Sequence, residues 1–179
     1  KLAAAAGCPH VRTLGEQRDG TLLPDAVPFA DDFATVRRSA DDLAAILYTS
    51  GTTGRSKGAM LSHGNLASNA LTLDEYWGFK SERDAGRRDV LLHTLPLFHV
   101  HGLFVASHAA LLAGAKTILL QRFDLAAALK HLPRSTVFMG VPTYYTRLLS
   151  EPKFGREHCR SMRLFISGSA PLLAETHKQ

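Results

Sequence analysis

Tyr48-Thr49-Ser50-Gly51-Thr52-Thr53-Gly54-Arg55-Ser56-Lys57-Gly58 closes an apolar run over residues 43–48 and sets glycines, hydroxyls and a lysine side by side. Such a segment has the chemistry of a polyphosphate clamp. Glycine lets the main chain approach an anion and turn its N–H groups inward, hydroxyls add donors, and the Lys57 ammonium is a mobile point charge. The residue order excludes the commonest nucleotide loop, in which lysine follows glycine and a hydroxyl follows lysine, because Lys57 stands between Ser56 and Gly58. A ligand-free Gly/Ser/Thr-rich surface turn is the plainer reading of the same residues.

Working outward, residues 59–66 read as a short apolar strand or turn and then a helix start capped by Ser62. Leu66, Ala70, Leu73 and Trp77 then recur at helical spacing and give one apolar face. Apolar runs at 43–48, 90–95, 117–120, 136–139 and 164–166 are strand candidates, with helices expected over 103–113, 125–132 and 143–149 and a further helix beginning within 172–179. Strand followed by helix, repeated, predicts an α/β fold: a mostly parallel sheet with helices on both faces. Such sheets bind ligands beyond the carboxyl ends of their strands, and the Gly-rich loop is expected just past the end of the first one. Residues 1–40 break the alternation, reading as a helix end over 2–6, a strand over 11–14, a polar loop over 15–28 and a short helix over 31–38. They are expected to be the edge of a neighbouring subdomain and a linker, with 41–179 forming the α/β unit.

A chain of 179 residues that is 45% hydrophobic and 21% charged is long enough to bury a core. Its 21 Lys and Arg against 16 Asp and Glu are spread out, without the basic, aromatic-laced stripe that nucleic acid requires. No apolar run approaches the ~20 residues that span a bilayer, and no signal peptide opens the chain. Cys8 and Cys159 lack metal-ligand spacing and point to a reducing, cytoplasmic setting, so no metal site is expected from the protein's own residues.

Three further segments carry chemistry. In Leu95-Pro96-Leu97-Phe98-His99-Val100-His101-Gly102, an extended backbone would point His99 and His101 to one side. That makes half a metal site without a third ligand, or leaves a histidine packed at a strand end. Gly140-Val141-Pro142-Thr143-Tyr144-Tyr145-Thr146-Arg147 reads as a strand end, a turn and a helix capped by Thr143, with Arg147 one turn in. A guanidinium there either pairs bidentately with a carboxylate or is an ordinary helix-surface residue. Leu164-Phe165-Ile166-Ser167-Gly168-Ser169-Ala170-Pro171 is a strand running into small residues, against which a flat ring can lie.

In order and spacing, these four segments resemble the acyl-adenylate-forming superfamily of acyl-CoA synthetases, luciferases and peptide-synthetase adenylation domains. There the loop reads S-G-T-T-G-x-P-K-G, and Ser56 stands here at the usual proline. The combination is most similar to the malonate-activating CoA ligases. The resemblance implies an enzyme joining malonate or methylmalonate to CoA, with ATP, Mg²⁺ and CoA required and small molecules as the only partners. It places the phosphates on Thr49, Ser50, Gly51, Thr52, Thr53, Gly54 and Lys57, with Thr52, Lys57 and His99 catalytic and His99 as the gate between nucleotide and acid pockets. His101, Arg147, Ser167 and Gly168 fall to the acid, and Ser169, Ala170 and Pro171 to the adenine. The superfamily's ribose-binding, hinge and catalytic-lysine motifs find no counterpart in these residues. The chain is therefore expected to be an interior slice, unable to complete adenylation alone. A CoA ligase for a medium-chain or aryl acid, and a non-catalytic nucleotide-binding module, are the competing readings.

Overall fold

The computed structural model describes residues 2–15, 17, 19–26, 34–49, 57–81 and 88–178. The chain forms two compact units, residues 1–38 and 39–179. In the first, α1 (Leu2–Ala5) stops at Gly7, whose φ of 65° only glycine adopts readily. Cys8 N–H donates to Ala3 O at 2.8 Å and Gly7 N–H to Ala4 O at 3.2 Å, the paired closing bonds of a glycine C-cap. No strand forms over 11–14. Thr13 and Thr21 instead exchange amide-to-hydroxyl bonds at 3.1 and 3.2 Å, which satisfies the main chain locally. The expected polar loop holds α2 (Leu22–Ala26). Residues 34–38 are not helical, and 31–33 lie outside the described residues.

The second unit opens with β1 (Leu43–Thr49) and β2 (Lys57–Ser62), paired antiparallel from Leu43 opposite Ser62 to Thr49 opposite Lys57. This corrects the expectation that the first strand belongs to the parallel sheet. A parallel crossover takes a dozen or more residues, and 50–56 are too few, so the chain returns as a hairpin. Ser62 then caps α3 (His63–Trp77) by a reciprocal pair: its hydroxyl accepts from Asn65 N–H at 3.2 Å, and Asn65 Oδ1 accepts from Ser62 N–H at 3.0 Å. Gly78, at φ 54°, ends the helix.

β3 (Val90–His93), β4 (Lys116–Leu119), β5 (Val137–Gly140) and β6 (Leu164–Ser167) form one parallel sheet in the order β4-β3-β5-β6. Strand pleat divides the core. Leu91, Val137 and Met139 point to one face and pack with Ala106, Ala109 and Ala113. Leu92 and Phe138 point to the other and pack with Phe123, Ala128, Leu132 and Leu148. The first face is covered by α3 and α4 (His108–Leu112), and the second by α5 (Leu125–His131) and α6 (Pro142–Leu149). Helices thus lie on both faces, as the alternation predicts. A last short helix, α7 (Ala174–Lys178), follows β6.

Two helix starts differ from expectation. The helix before α4 begins as a π-helical turn, His101–Ser107. The cap of α6 is Val141 rather than Thr143, because Pro142 occupies the first helical position, where its missing N–H costs nothing. At the amino edge of the sheet, buried Asp89 ties the elements together. Its carboxylate accepts from Arg163, from Thr136 Oγ1 at 2.6 Å and from Lys80 N–H at 2.7 Å, while Arg163 also donates to Trp77 O and Gly78 O at 3.0 Å. Among the described residues, no helix is long and apolar enough to cross a membrane.

Candidate functional site

Parallel pairing brings the carboxyl ends of four strands to one edge, with His93 beside Leu119 and Met139, and Gly140 beside Ser167. Three of the four sequence segments leave the sheet there. The His99/His101 segment follows β3, the Pro142–Arg147 segment follows β5, and the small-residue segment follows β6. This is where an open α/β sheet binds ligands.

The first and third of these segments meet. His101 Nδ1 and Ser169 Oγ share a hydrogen bond at 3.1 Å. A Cβ on Gly168 would stand 2.8 Å from His101 Cε1, so only glycine lets the imidazole lie on that backbone. Ser169 takes a φ of 67°, a left-handed conformation that costs about 1–2 kcal/mol outside glycine and turns the loop sharply after β6. Burial, then the nearby His93, hold the His101 imidazole below the ordinary histidine range. At neutral pH the ring is uncharged and can both give and accept a hydrogen bond.

His93 has no place in the sequence reading and supports this arrangement from beneath. It is 1% exposed, with Nε2 at 3.0 Å from Gly102 O and 3.1 Å from Ser107 Oγ. A carbonyl only accepts, so the proton sits on Nε2. Nδ1 is left buried without a partner among the described residues. Burial lowers its pKa, opposed in part by the Gly102 bond. Ser107 hydroxyl also donates to Gly102 O at 2.8 Å, so the π-helical turn is pinned at its start. Gly102 itself has no room for a side chain, since a Cβ would fall 2.2 Å from Pro96 O.

His99 and His101 do not share a side, contrary to the extended reading. The backbone is already helical from residue 100 rather than extended, so the two-residue alternation of a strand does not hold. His99 is exposed, its ring 4.6 Å from that of Phe98, and only His101 turns inward.

Tyr145 was also missed. Its buried hydroxyl donates to Ile166 O, bridging α6 to β6, and burial raises its pKa so that it stays a donor. Beside it Ser167 Oγ is buried without a partner among the described residues, at the wall of a cleft of about 830 Å³. That cleft is lined mainly by apolar groups, including Leu148, Leu149, Phe154, Phe165 and Leu172. Arg147 makes no bond to His101 or Ser169; its guanidinium carbon lies 4.9 Å from the Phe123 ring centroid. Ala170 and Pro171 are exposed.

The Gly-rich loop connects β1 to β2. Ser50, Gly51, Thr52, Thr53 and Gly54 lie outside the described residues, as does the Thr49 side chain. Lys57 is exposed and opposite Thr49 across the hairpin. Among the described residues, no group of three or more His, Cys, Asp or Glu side chains is gathered as a metal site.

Comparison with known proteins agrees with this geometry. The ATP-bound crystal structure of MatB from Rhodopseudomonas palustris superposes with a TM-score of 0.90 at 56% identity, covering 99% of this chain and 34% of that one. A mitochondrial malonate–CoA ligase of Mus musculus is 39% identical over 72% of this chain and 24% of its own length. A 4-coumarate–CoA ligase of Solanum tuberosum is 35% identical over 95% of this chain and 29% of its own. The chain thus spans about a quarter to a third of these relatives. The family model described as AMP-binding enzyme matches residues 3–179, and with three of its four signature segments converging on one sheet edge, the chain belongs to the AMP-binding enzyme family.

Proposed function

We propose that the protein to which this chain belongs is an ATP-dependent acid–CoA ligase acting on malonate or methylmalonate. The observation that carries the reading is the His101–Ser169 contact, which joins the segments after β3 and β6 into one wall at the ligand edge of the sheet. Support for ATP and for malonate comes from the relatives' names. In the first step a carboxylate oxygen attacks the α-phosphorus of ATP and pyrophosphate leaves, giving an acyl-adenylate. In the second the CoA sulfur attacks the acyl carbon and AMP leaves.

In this reading the main-chain amides and hydroxyls of Thr49, Ser50, Gly51, Thr52, Thr53 and Gly54, with Lys57, hold the β- and γ-phosphates by preorganised donors. Uncharged His101 and cationic Arg147 receive the far carboxylate. His99 moves between solvent and the acid passage, and the Ser167 and Gly168 backbone lies along the acid. Ser169, Ala170 and Pro171 run beside the adenine. Mg²⁺ comes with the nucleotide, since it typically keeps water and phosphate oxygens rather than a protein cage. It would offset charge on the phosphates. The two free thiols, Cys8 and Cys159, fit a cytoplasmic setting. Residues 1–179 alone are proposed not to complete adenylation.

A second reading, an aryl acid ligase, is favoured by the apolar lining of the cleft beside Ser167 and by the 4-coumarate–CoA ligase relative. Pyrophosphate exchange by the full-length enzyme with malonate, methylmalonate, octanoate and 4-coumarate separates the two. Malonate or methylmalonate is expected to exceed the monoacids by about 100-fold or more in kcat/KM, because a site built for a second carboxylate rejects acids lacking it. Preference for 4-coumarate or octanoate would overturn the dicarboxylate reading.

A further inference from the structure

Phe123 lies in the connection from β4 to α5, beyond the carboxyl end of β4, and is buried. Its ring stacks on Tyr144 with centroids 4.1 Å apart and planes at 8°. Tyr144 is held in turn by β5, whose Gly140 would place a Cβ 3.1 Å from Tyr144 Cδ2. Arg147 stands three residues beyond Tyr144 on α6, hence on the same helix face, and its guanidinium carbon is 4.9 Å from the Phe123 centroid. Two aromatic rings anchored to two strands thus form a shelf under one arginine.

An aromatic face attracts a cation through its quadrupole and accepts no conventional hydrogen bond, so it restrains the guanidinium while leaving its N–H donors available. Among the described residues Arg147 has no carboxylate or carbonyl partner; Phe123 is the group that restrains it. A long side chain tethered this way gives up less freedom when an anion binds.

We propose that Phe123 is a positioning residue for acid selection, presenting the Arg147 guanidinium to the distal carboxylate of a dicarboxylic acid. This rests on the role given to Arg147 above. Phe123 touches neither substrate nor nucleotide in this scheme and acts through Arg147 alone.

The test is a double-mutant cycle in the full-length enzyme, with malonate and butyrate as acids: wild type, Phe123→Leu, Arg147→Ala and both together. Phe123→Met, which also lacks the ring but fills space flexibly, stands in if the leucine variant does not fold. Phe123→Leu is expected to lower kcat/KM for malonate roughly 2- to 30-fold, through KM for the acid. KM for ATP and use of butyrate should stay within about twofold, and the substitution should add nothing to malonate in the Arg147→Ala background. Equal losses with malonate and butyrate, or a full additional loss without Arg147, would mean that Phe123 only packs the core and would overturn the proposal. Should Arg147→Ala leave the preference for malonate over butyrate intact, the dicarboxylate role of Arg147 falls, and this inference with it.

Discussion

Asp89 is 2% exposed and lies at the sheet edge opposite the candidate site. Burial alone would raise its pKa. Hydrogen bonds from Arg163, Thr136 and Lys80, with the charge of Arg163, outweigh it and hold the carboxyl below its ordinary range. Its charged form is therefore stabilised by folding. That contribution is complete above the unfolded value of about 3.9 and disappears as pH falls through the lower folded value. Asp89→Ala leaves the Arg163 cluster without its counter-charge and is expected to cost about 3–5 kcal/mol in urea unfolding at pH 7. The gap between wild type and variant should shrink below about pH 4; a gap independent of pH would count against the ion pair. At the proposed phosphate site, Lys57→Ala in the full-length enzyme should slow malonate-dependent pyrophosphate exchange by about 10²-fold or more. Undiminished exchange would remove Lys57 from the phosphate site. Both residues stand out for different reasons: Lys57 by its neighbours in sequence, Asp89 only by its partners in space.

Among the elements, the start and the apolar stripe of α3 were legible, because both are local signals. Ser62→Ala removes one half of its reciprocal cap and should cost about 1 kcal/mol, read as a lowered melting temperature with activity retained. The π-helical turn His101–Ser107 was not legible, because what fixes it is close packing that residue order does not display: His93 and Ser107 on one carbonyl, and Pro96 against Gly102. Gly102→Ala is the matching test. The added methyl meets a backbone oxygen, and overpacking of this kind costs typically about 1–3 kcal/mol. Acid-dependent turnover is expected to fall with it, since His101 is the first residue of the turn. A variant as stable and active as wild type would show that the chain passes Pro96 more loosely.

At the scale of the second unit, stability is concentrated in the two cores that sandwich the parallel sheet, built by Leu91, Val137 and Met139 on one side and Leu92 and Phe138 on the other. Among the described residues the β1–β2 hairpin buries no side chain so fully, with Tyr48 and Met60 largely exposed. Amide hydrogen exchange should therefore be slowest at residues 91–93 and 137–139 and faster by orders of magnitude in 43–49 and 57–62. Equal protection would mean that the hairpin is part of the same cooperative core.

Local sequence signals sufficed for most elements of residues 41–179 and for the family to which the chain belongs. The strand runs of the second unit, the α3 periodicity and the Ser62 cap are set by neighbours within a few residues, and local sterics and hydrogen bonding suffice to read them. The tertiary fold settled which strands pair, that β1 and β2 run antiparallel, that His101 turns inward while His99 does not, and which groups His93, Tyr145, Phe123 and Asp89 contact. Those outcomes depend on burial and on partners 9 to 74 positions away, and sequence order carries no record of such distances until the sheet closes them.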